Sequence, residues 1–136
     1  PYPNCESLNK LYSNVFYRMC GNRLKDTGVM VVQSTSPYYA TKAFWCINQT
    51  IESEGFFVKP YHLQVPAFGD WGFNMAGKNE LKKDLTFDVE TRYLTPENVS
   101  SLFCFGKDET DKDVEINRLT KPVLMEYYNK AVEKWN

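Results

Sequence analysis

Gln33 directly follows the short apolar run Val29-Met30-Val31-Val32, and its type and position together point to ligand chemistry. Ligands of open α/β sheets bind at the carboxyl ends of the strands, where such an amide projects into the crevice as both donor and acceptor. The alternative for Gln33 is to satisfy nearby backbone. A second stretch, Pro66-Ala67-Phe68-Gly69-Asp70-Trp71, is an aromatic-rich loop that either walls a pocket for an alkyl chain or closes the hydrophobic core. The segment from Pro1 to Ser7 reaches the same edge. His62 is the only histidine; it falls mid-strand with no Ser or Cys nucleophile at a pairing distance, and reads as structural. Cys5, Cys20, Cys46 and Cys104 form no CxxC pair, so no metal site is expected. The glycines form neither a GxGxxG nor a P-loop. The chain by itself shows no complete catalytic apparatus.

The elements that must position these residues follow from periodicity. Leu8, Leu11, Tyr12, Val15, Phe16 and Met19 recur at helical spacing, with Ser7 suited to cap the start. Val29 to Val32 reads as a parallel strand covered on both faces. Ser36-Pro37 opens a second helix whose inward stripe is Ala40, Ala43, Phe44, Ile47 and Ile51, and Gly55 supplies the left-handed residue that ends it. Phe56 to Val65 is extended, and Trp71 to Ala76 is a strand after a turn at Phe68-Gly69-Asp70. Helix, strand, helix, strand, strand is the C-terminal half of a Rossmann-like, doubly wound α/β sheet ending in an antiparallel hairpin. Lys78 to Asp84 is a charged connector, Pro96 to Phe103 a short helix, and Lys107 to Glu115 an acidic solvated stretch. A last amphipathic helix from about Pro122 buries Val123, Leu124, Tyr127, Ala131 and Trp135.

A length of 136 residues predicts one domain, here an α/β half over 1–78 followed by a helical extension over 79–136. Apolar residues make up 43% and the net charge is −1 with both signs interspersed, a globular composition with no nucleic-acid footprint. Cys20 and Cys46 on apolar helical faces read as buried, reduced thiols, which fits the cytoplasm. The opening Pro1-Tyr2-Pro3, without an initiator methionine, predicts the middle of a longer protein.

Three ordered blocks resemble the polyamine aminopropyltransferases, the spermidine and spermine synthase family. Ser7-Leu8-Asn9-Lys10-Leu11-Tyr12-Ser13-Asn14-Val15-Phe16-Tyr17 resembles the helix that follows their catalytic-loop strand. Gly28-Val29-Met30-Val31-Val32-Gln33 is similar to their strand ending in glutamine, and Tyr61 to Phe73 looks like their hairpin with VP, an aromatic residue and WGF. Arg92-Tyr93-Leu94-Thr95-Pro96-Glu97 and Asn117-Arg118-Leu119 resemble the tail of a bacterial subgroup that often carries membrane-spanning segments upstream. That implies a cytoplasmic domain of a membrane-anchored parent.

The resemblance implies a methyltransferase-like fold and transfer of an aminopropyl group from decarboxylated S-adenosylmethionine to putrescine or a related amine. This segment itself would hold no cofactor, because the nucleotide-binding glycine loop and its acids precede it in the family. The proton-accepting Asp of the family's D-x-x-D-P loop would lie just before Pro1. Its second Asp, which binds the amine, would fall on Tyr2, and a tyrosine supplies no carboxylate at neutral pH. Gln33 matches a pocket glutamine, Phe68 a position often held by Tyr, Trp71 an aromatic wall, and Ser7 a position on the cofactor side. A homodimer is the expected assembly, with a small-molecule amine as partner and no nucleic acid. Two other readings stand beside this one, a methyltransferase-like relative and a non-catalytic binding or dimerisation domain, the latter kept open by Tyr2 and Phe68.

Overall fold

The structure, a computed structural model, describes residues 5–82 and 86–136. The first helical stretch is not one helix. Helix α1 (Glu6–Asn9) passes into a 3₁₀ turn, Lys10–Tyr12, and α2 (Asn14–Arg23) starts afresh. Ser13 makes the break: its extended backbone (φ −83°, ψ 155°) leaves the helix, and its Oγ accepts from the Phe16 N–H at 3.2 Å. A serine hydroxyl competes with the helical ladder, so it caps more readily than it continues. Ser7 makes no such cap; its Oγ contacts Cys5 Sγ at 3.2 Å. The break also rotates the inward face. Tyr12 and Tyr17 are buried, while Leu11 and Met19, expected inside, are exposed.

Strand β1 (Val29–Gln33) leads to helix α3 (Thr41–Glu52), and β2 (Phe57–Val65) with β3 (Gly69–Gly77) form a hairpin. Ser36 Oγ accepts from the Tyr39 N–H at 3.1 Å and so caps a turn that precedes α3, rather than the helix itself. The stripe Ala40, Ala43, Phe44, Ile47 and Ile51 is buried as its spacing requires, and Gly55 takes φ 86° beyond the end of α3. The hairpin loop is Pro66-Ala67-Phe68, closed by Gly69 at φ 75°.

The sheet order is β1-β3-β2, antiparallel throughout. This corrects the expectation of a parallel, doubly covered β1. Its partner is β3, with Val29 opposite Gly77 and Gln33 opposite Phe73. Met30 and Val32 pack against the core, whereas Val29 and Val31 are each 51% exposed. An unbroken apolar run cannot report which face is covered, and here the covered face is the one toward the helices.

Helix α4 (Val123–Trp135) packs on α3, and the acidic stretch before it keeps most of its side chains exposed, as expected, while its backbone docks on α3. The carbonyls of Glu109, Lys112 and Glu115 accept from Trp45 Nε1 (2.7 Å), Gln49 Nε2 (2.8 Å) and Cys46 Sγ (3.3 Å), all on α3. Burial pushes the Cys46 thiol up to about 12, so it stays protonated. Among the described residues no helix is long and apolar enough to cross a membrane.

Candidate functional site

The carboxyl end of β1 is held by a chain of buried amides. Asn48 Nδ2 of α3 donates to Asn74 Oδ1 of β3 at 2.8 Å; Asn74 Nδ2 donates to Ser34 Oγ at 2.8 Å; Ser34 Oγ donates to the Val32 carbonyl at 2.9 Å. All three side chains are buried, so each donor and acceptor needs a protein partner, and this chain fixes where β1 ends relative to α3 and β3. Tyr12 adds a clamp from the other side, its hydroxyl donating to the Gln33 carbonyl at 3.4 Å. Burial raises the Tyr12 pKa, which keeps that phenol a donor.

Thr35 sits just past this point with φ 62°. A β-branched residue in the left-handed region is strained, and such strain persists only where the surroundings over-determine it. They do so here through Gly72. The Gly72 N–H donates to the Thr35 carbonyl at 2.7 Å, and the Ser34 N–H donates to the Gly72 carbonyl at 2.8 Å. A Cβ on Gly72 would overlap the Phe44 ring and meet the Thr35 oxygen at 2.9 Å, so any side chain here must displace the ring or the carbonyl.

Beyond the strained turn lies a cavity of about 250 Å³. Thr35, Ser36, Tyr39 and Trp71 line it together with Tyr128 and Trp135 of α4. No charged side chain lines it. Phe68 stacks at a tilt on Trp71, 5.3 Å between ring centroids, but is itself 55% exposed at the hairpin tip. Gln33 is half-buried at the strand end, and among the described residues no hydrogen bond holds its side-chain amide. The structure thus brings Trp71 into a pocket, with Phe68 behind it and Gln33 two residues before Thr35. Ser7 is exposed on α1. Tyr2 lies outside the described residues.

His62 belongs to a separate constellation. Its Nδ1 lies 2.7 Å from Asp70 Oδ1 and its Nε2 lies 2.6 Å from the Cys104 carbonyl, while Phe105 stacks on the ring at 4.5 Å. Burial is the largest single influence and pulls the imidazole pKa down, but the Cys104 carbonyl and Asp70 together outweigh it, and the net shift is upward. Both ring nitrogens face acceptors, so the imidazolium satisfies both at once. One carboxylate oxygen each of Asp70 and Glu109 lies within 4.8 Å of a ring nitrogen and of the other, the one such group of metal-ligand types among the described residues. Glu109 Oε2 is already engaged by the Gly106 N–H at 2.5 Å. The geometry is that of a hydrogen-bonded clamp between the hairpin and the tail.

Sequence reasoning found Gln33, Phe68 and Trp71 but not Thr35, Tyr39, Tyr128 or Trp135 as a common wall. The Ser34-Thr35-Ser36-Pro37 run after the glutamine was the available signal for a turn at the strand end. The left-handed φ and the approach of α4 have no local signature.

The α/β arrangement is that of the spermidine synthases, which have a methyltransferase-like fold. A solved spermidine synthase from Thermotoga maritima superposes with a TM-score of 0.60 at 23% identity, covering 71% of this chain and 36% of its own. Another, solved in complex with the transition state analogue AdoDATO, gives the same score and identity over 37% of its chain. The family profile described as the spermine/spermidine synthase domain matches residues 2–88, and the chain belongs to that family. A polyamine aminopropyltransferase of Oceanobacillus iheyensis is 41% identical over 99% of this chain. Polyamine aminopropyltransferase 2 of Ralstonia nicotianae is 38% identical over 100% of this chain. The chain spans about a quarter of the length of these relatives, 27% and 26% respectively.

Proposed function

We propose that this chain is the C-terminal part of the catalytic domain of a polyamine aminopropyltransferase. The reaction moves the aminopropyl group of decarboxylated S-adenosylmethionine to putrescine or a similar amine, giving spermidine and methylthioadenosine. The amine nitrogen attacks the methylene beside the sulfonium, the C–S bond breaks with its electron pair going to sulfur, and the ammonium proton passes to an acidic residue. That acid is expected ahead of Pro1. The α/β half over 1–78 carries the family's blocks, and the extension over 79–136 belongs to the same domain.

The observation that carries this reading is the uncharged aromatic cavity at the carboxyl end of β1, walled by Trp71 from the segment that the family profile matches. A displacement of this kind needs little from the protein beyond alignment, and an apolar slot aligns a methylene chain without competing for its ammonium groups. Gln33 does not line the slot; two residues before Thr35, its amide is the polar contact proposed for the amine outside that lining. Phe68 supplies a ring without the phenolic hydroxyl, so amine recognition at that position rests on packing. Ser7 stands on the side of the nucleoside. A small-molecule amine is the partner, with a homodimer as the assembly.

The test is a transfer assay on the full-length protein that carries this segment, supplied with decarboxylated S-adenosylmethionine and a panel of amines. Mass spectrometry is expected to show methylthioadenosine together with an extended polyamine. Methyl transfer from S-adenosylmethionine instead, or no product with any amine, would overturn the reading.

A further inference from the structure

We infer that α4, which lies wholly outside the segment matched by the family profile, supplies the wall that selects the length of the amine's alkyl chain, with Trp135 as the specificity-determining residue. This deepens the reading above and rests on it.

Trp135 is held in place rather than free. Its Nε1 donates to the Tyr39 carbonyl at 3.0 Å, and its ring meets Tyr39 edge-on at 5.1 Å and Tyr38 at 5.8 Å between centroids. Tyr39 leads into α3, so one hydrogen bond and two ring contacts tie the last turn of α4 to the turn just past β1. Such a ring costs little ordering entropy when a ligand arrives, because it is already fixed. It is also 48% exposed, so indole surface remains available toward the cavity that it lines with Trp71.

The chemistry of the slot names its occupant. Its lining holds no charged side chain, only the polar Thr35, Ser36 and Asn136 beside its aromatic and aliphatic residues, so it offers no side-chain carboxylate to an ammonium and much surface to cover methylenes. Cation–π recognition by Trp135 is already taken up in part, since Lys134 Nζ lies 5.3 Å over its ring. The slot therefore takes the alkyl segment, and the ammonium groups sit beyond its ends. At about 250 Å³ it falls below the roughly 300–1,000 Å³ usual for drug-sized ligands, which suits a short aliphatic chain. The distance from Trp71 across to Trp135 then limits how long or bulky an amine can lie there.

The experiment compares wild type, Trp135→Ala and Trp135→Phe in the full-length protein across a series of α,ω-diamines from diaminopropane to diaminooctane. For Trp135→Ala, KM for the short diamine that the wild type prefers is expected to rise about tenfold, roughly what two methylenes lose on leaving an apolar wall. Preference should shift to longer amines, with KM for decarboxylated S-adenosylmethionine unchanged, and Trp135→Phe should restore most of the original preference. An unchanged amine profile, or an equal loss for amine and donor alike, overturns the inference. A wild type that transfers to no amine sinks the proposed function instead, and the slot is then judged on binding alone. In a titration of the same protein with diaminobutane followed through indole N–H resonances, Trp71 and Trp135 should move while Trp45, bonded to the Glu109 carbonyl on another face, stays still. An unmoved Trp135 overturns the slot whatever the activity.

Discussion

At the scale of single residues, the side chains that matter most are the ones whose partners come from far along the chain. Asn117 is fully buried and serves five others: its Nδ2 donates to Asn9 Oδ1 (3.3 Å) and the Tyr12 carbonyl (3.0 Å), its N–H to Thr50 Oγ1 (3.0 Å), its Oδ1 accepts the Leu124 N–H (3.2 Å), and its carbonyl accepts the Asn14 N–H (3.0 Å). The motif Asn117-Arg118-Leu119 was visible in the sequence, but its purpose was not, because a hub joining α1, α3 and α4 leaves no local trace. His62 shows the same thing with a titratable group. Its imidazolium bridges Asp70 of β3 and the Cys104 carbonyl, with Glu109 nearby, and the folded pKa is raised above the ordinary histidine value. A raised folded pKa means that the clamp's stabilisation is complete below the unfolded value of about 6.5 and fades as pH rises through the higher folded value. The stability lost on His62→Phe is therefore expected to be largest in mildly acidic buffer and to shrink toward alkaline pH. Thermal melts of both proteins across that range check the sign, and an NMR titration of the ring checks the shift. A difference that grows with pH, or a ring that titrates at or below the ordinary value, would show that the clamp does not depend on the imidazolium.

At the scale of elements, the buried stripe of α3, the hairpin and its loop, and α4 were legible because each has a period or a turn signal of its own, although Trp135, expected inside, is 48% exposed at the end of α4. The break at Ser13 and the pairing of β1 were not. A serine inside an apolar pattern reads equally as helix or cap, and an apolar run of four does not say which neighbour it pairs with. The fit of β1 onto β3 depends on Gly72, which permits a contact that no periodicity encodes. Gly72→Ala must push back either the Phe44 ring or the Thr35 carbonyl, an overpacking cost of about 1–3 kcal/mol. Gly55→Ala makes a useful contrast: nothing lies within 4 Å of its Cβ position, so only the backbone at φ 86° resists, at about 1–2 kcal/mol. The two changes differ in reach more than in size. Gly72→Ala is expected to lower the urea midpoint and also to disturb amide resonances at Ser34, Thr35 and Trp71, whereas the effect of Gly55→Ala stays at the end of α3. Trimming the ring in a Gly72→Ala/Phe44→Leu double variant should recover part of the loss. No recovery would assign the whole cost to the Thr35 carbonyl.

At the scale of the whole molecule, the free edge of β1 decides how the chain behaves in solution. One edge of β1 pairs with β3; among the described residues no strand lies on the other. Val29 and Val31 are exposed beside it, so a row of unpaired backbone groups is flanked by apolar side chains. Such an edge is a template for another strand, and neither lysine nor proline within Val29–Gln33 blunts it. The 136-residue chain on its own is therefore expected to associate through β1 into a symmetric dimer at micromolar concentration. Light scattering measures the mass. Val31→Lys places a charge on the exposed side of the strand, away from Met30 and Val32, and should return the chain to a monomer without lowering its melting temperature by more than about 0.5 kcal/mol of stability would. The relatives are about four times as long, so in the full-length protein another segment is available to cover this edge. Hydrogen exchange separates the two situations: amides of Val29 to Gln33 that do not bond β3 should be slow in the full-length protein, slow in the dimer and fast in the Val31→Lys monomer. A strictly monomeric wild-type chain with fast exchange along that edge would mean that the exposed valines are tolerated as they stand, and that assembly of the full-length protein must be sought on a different face.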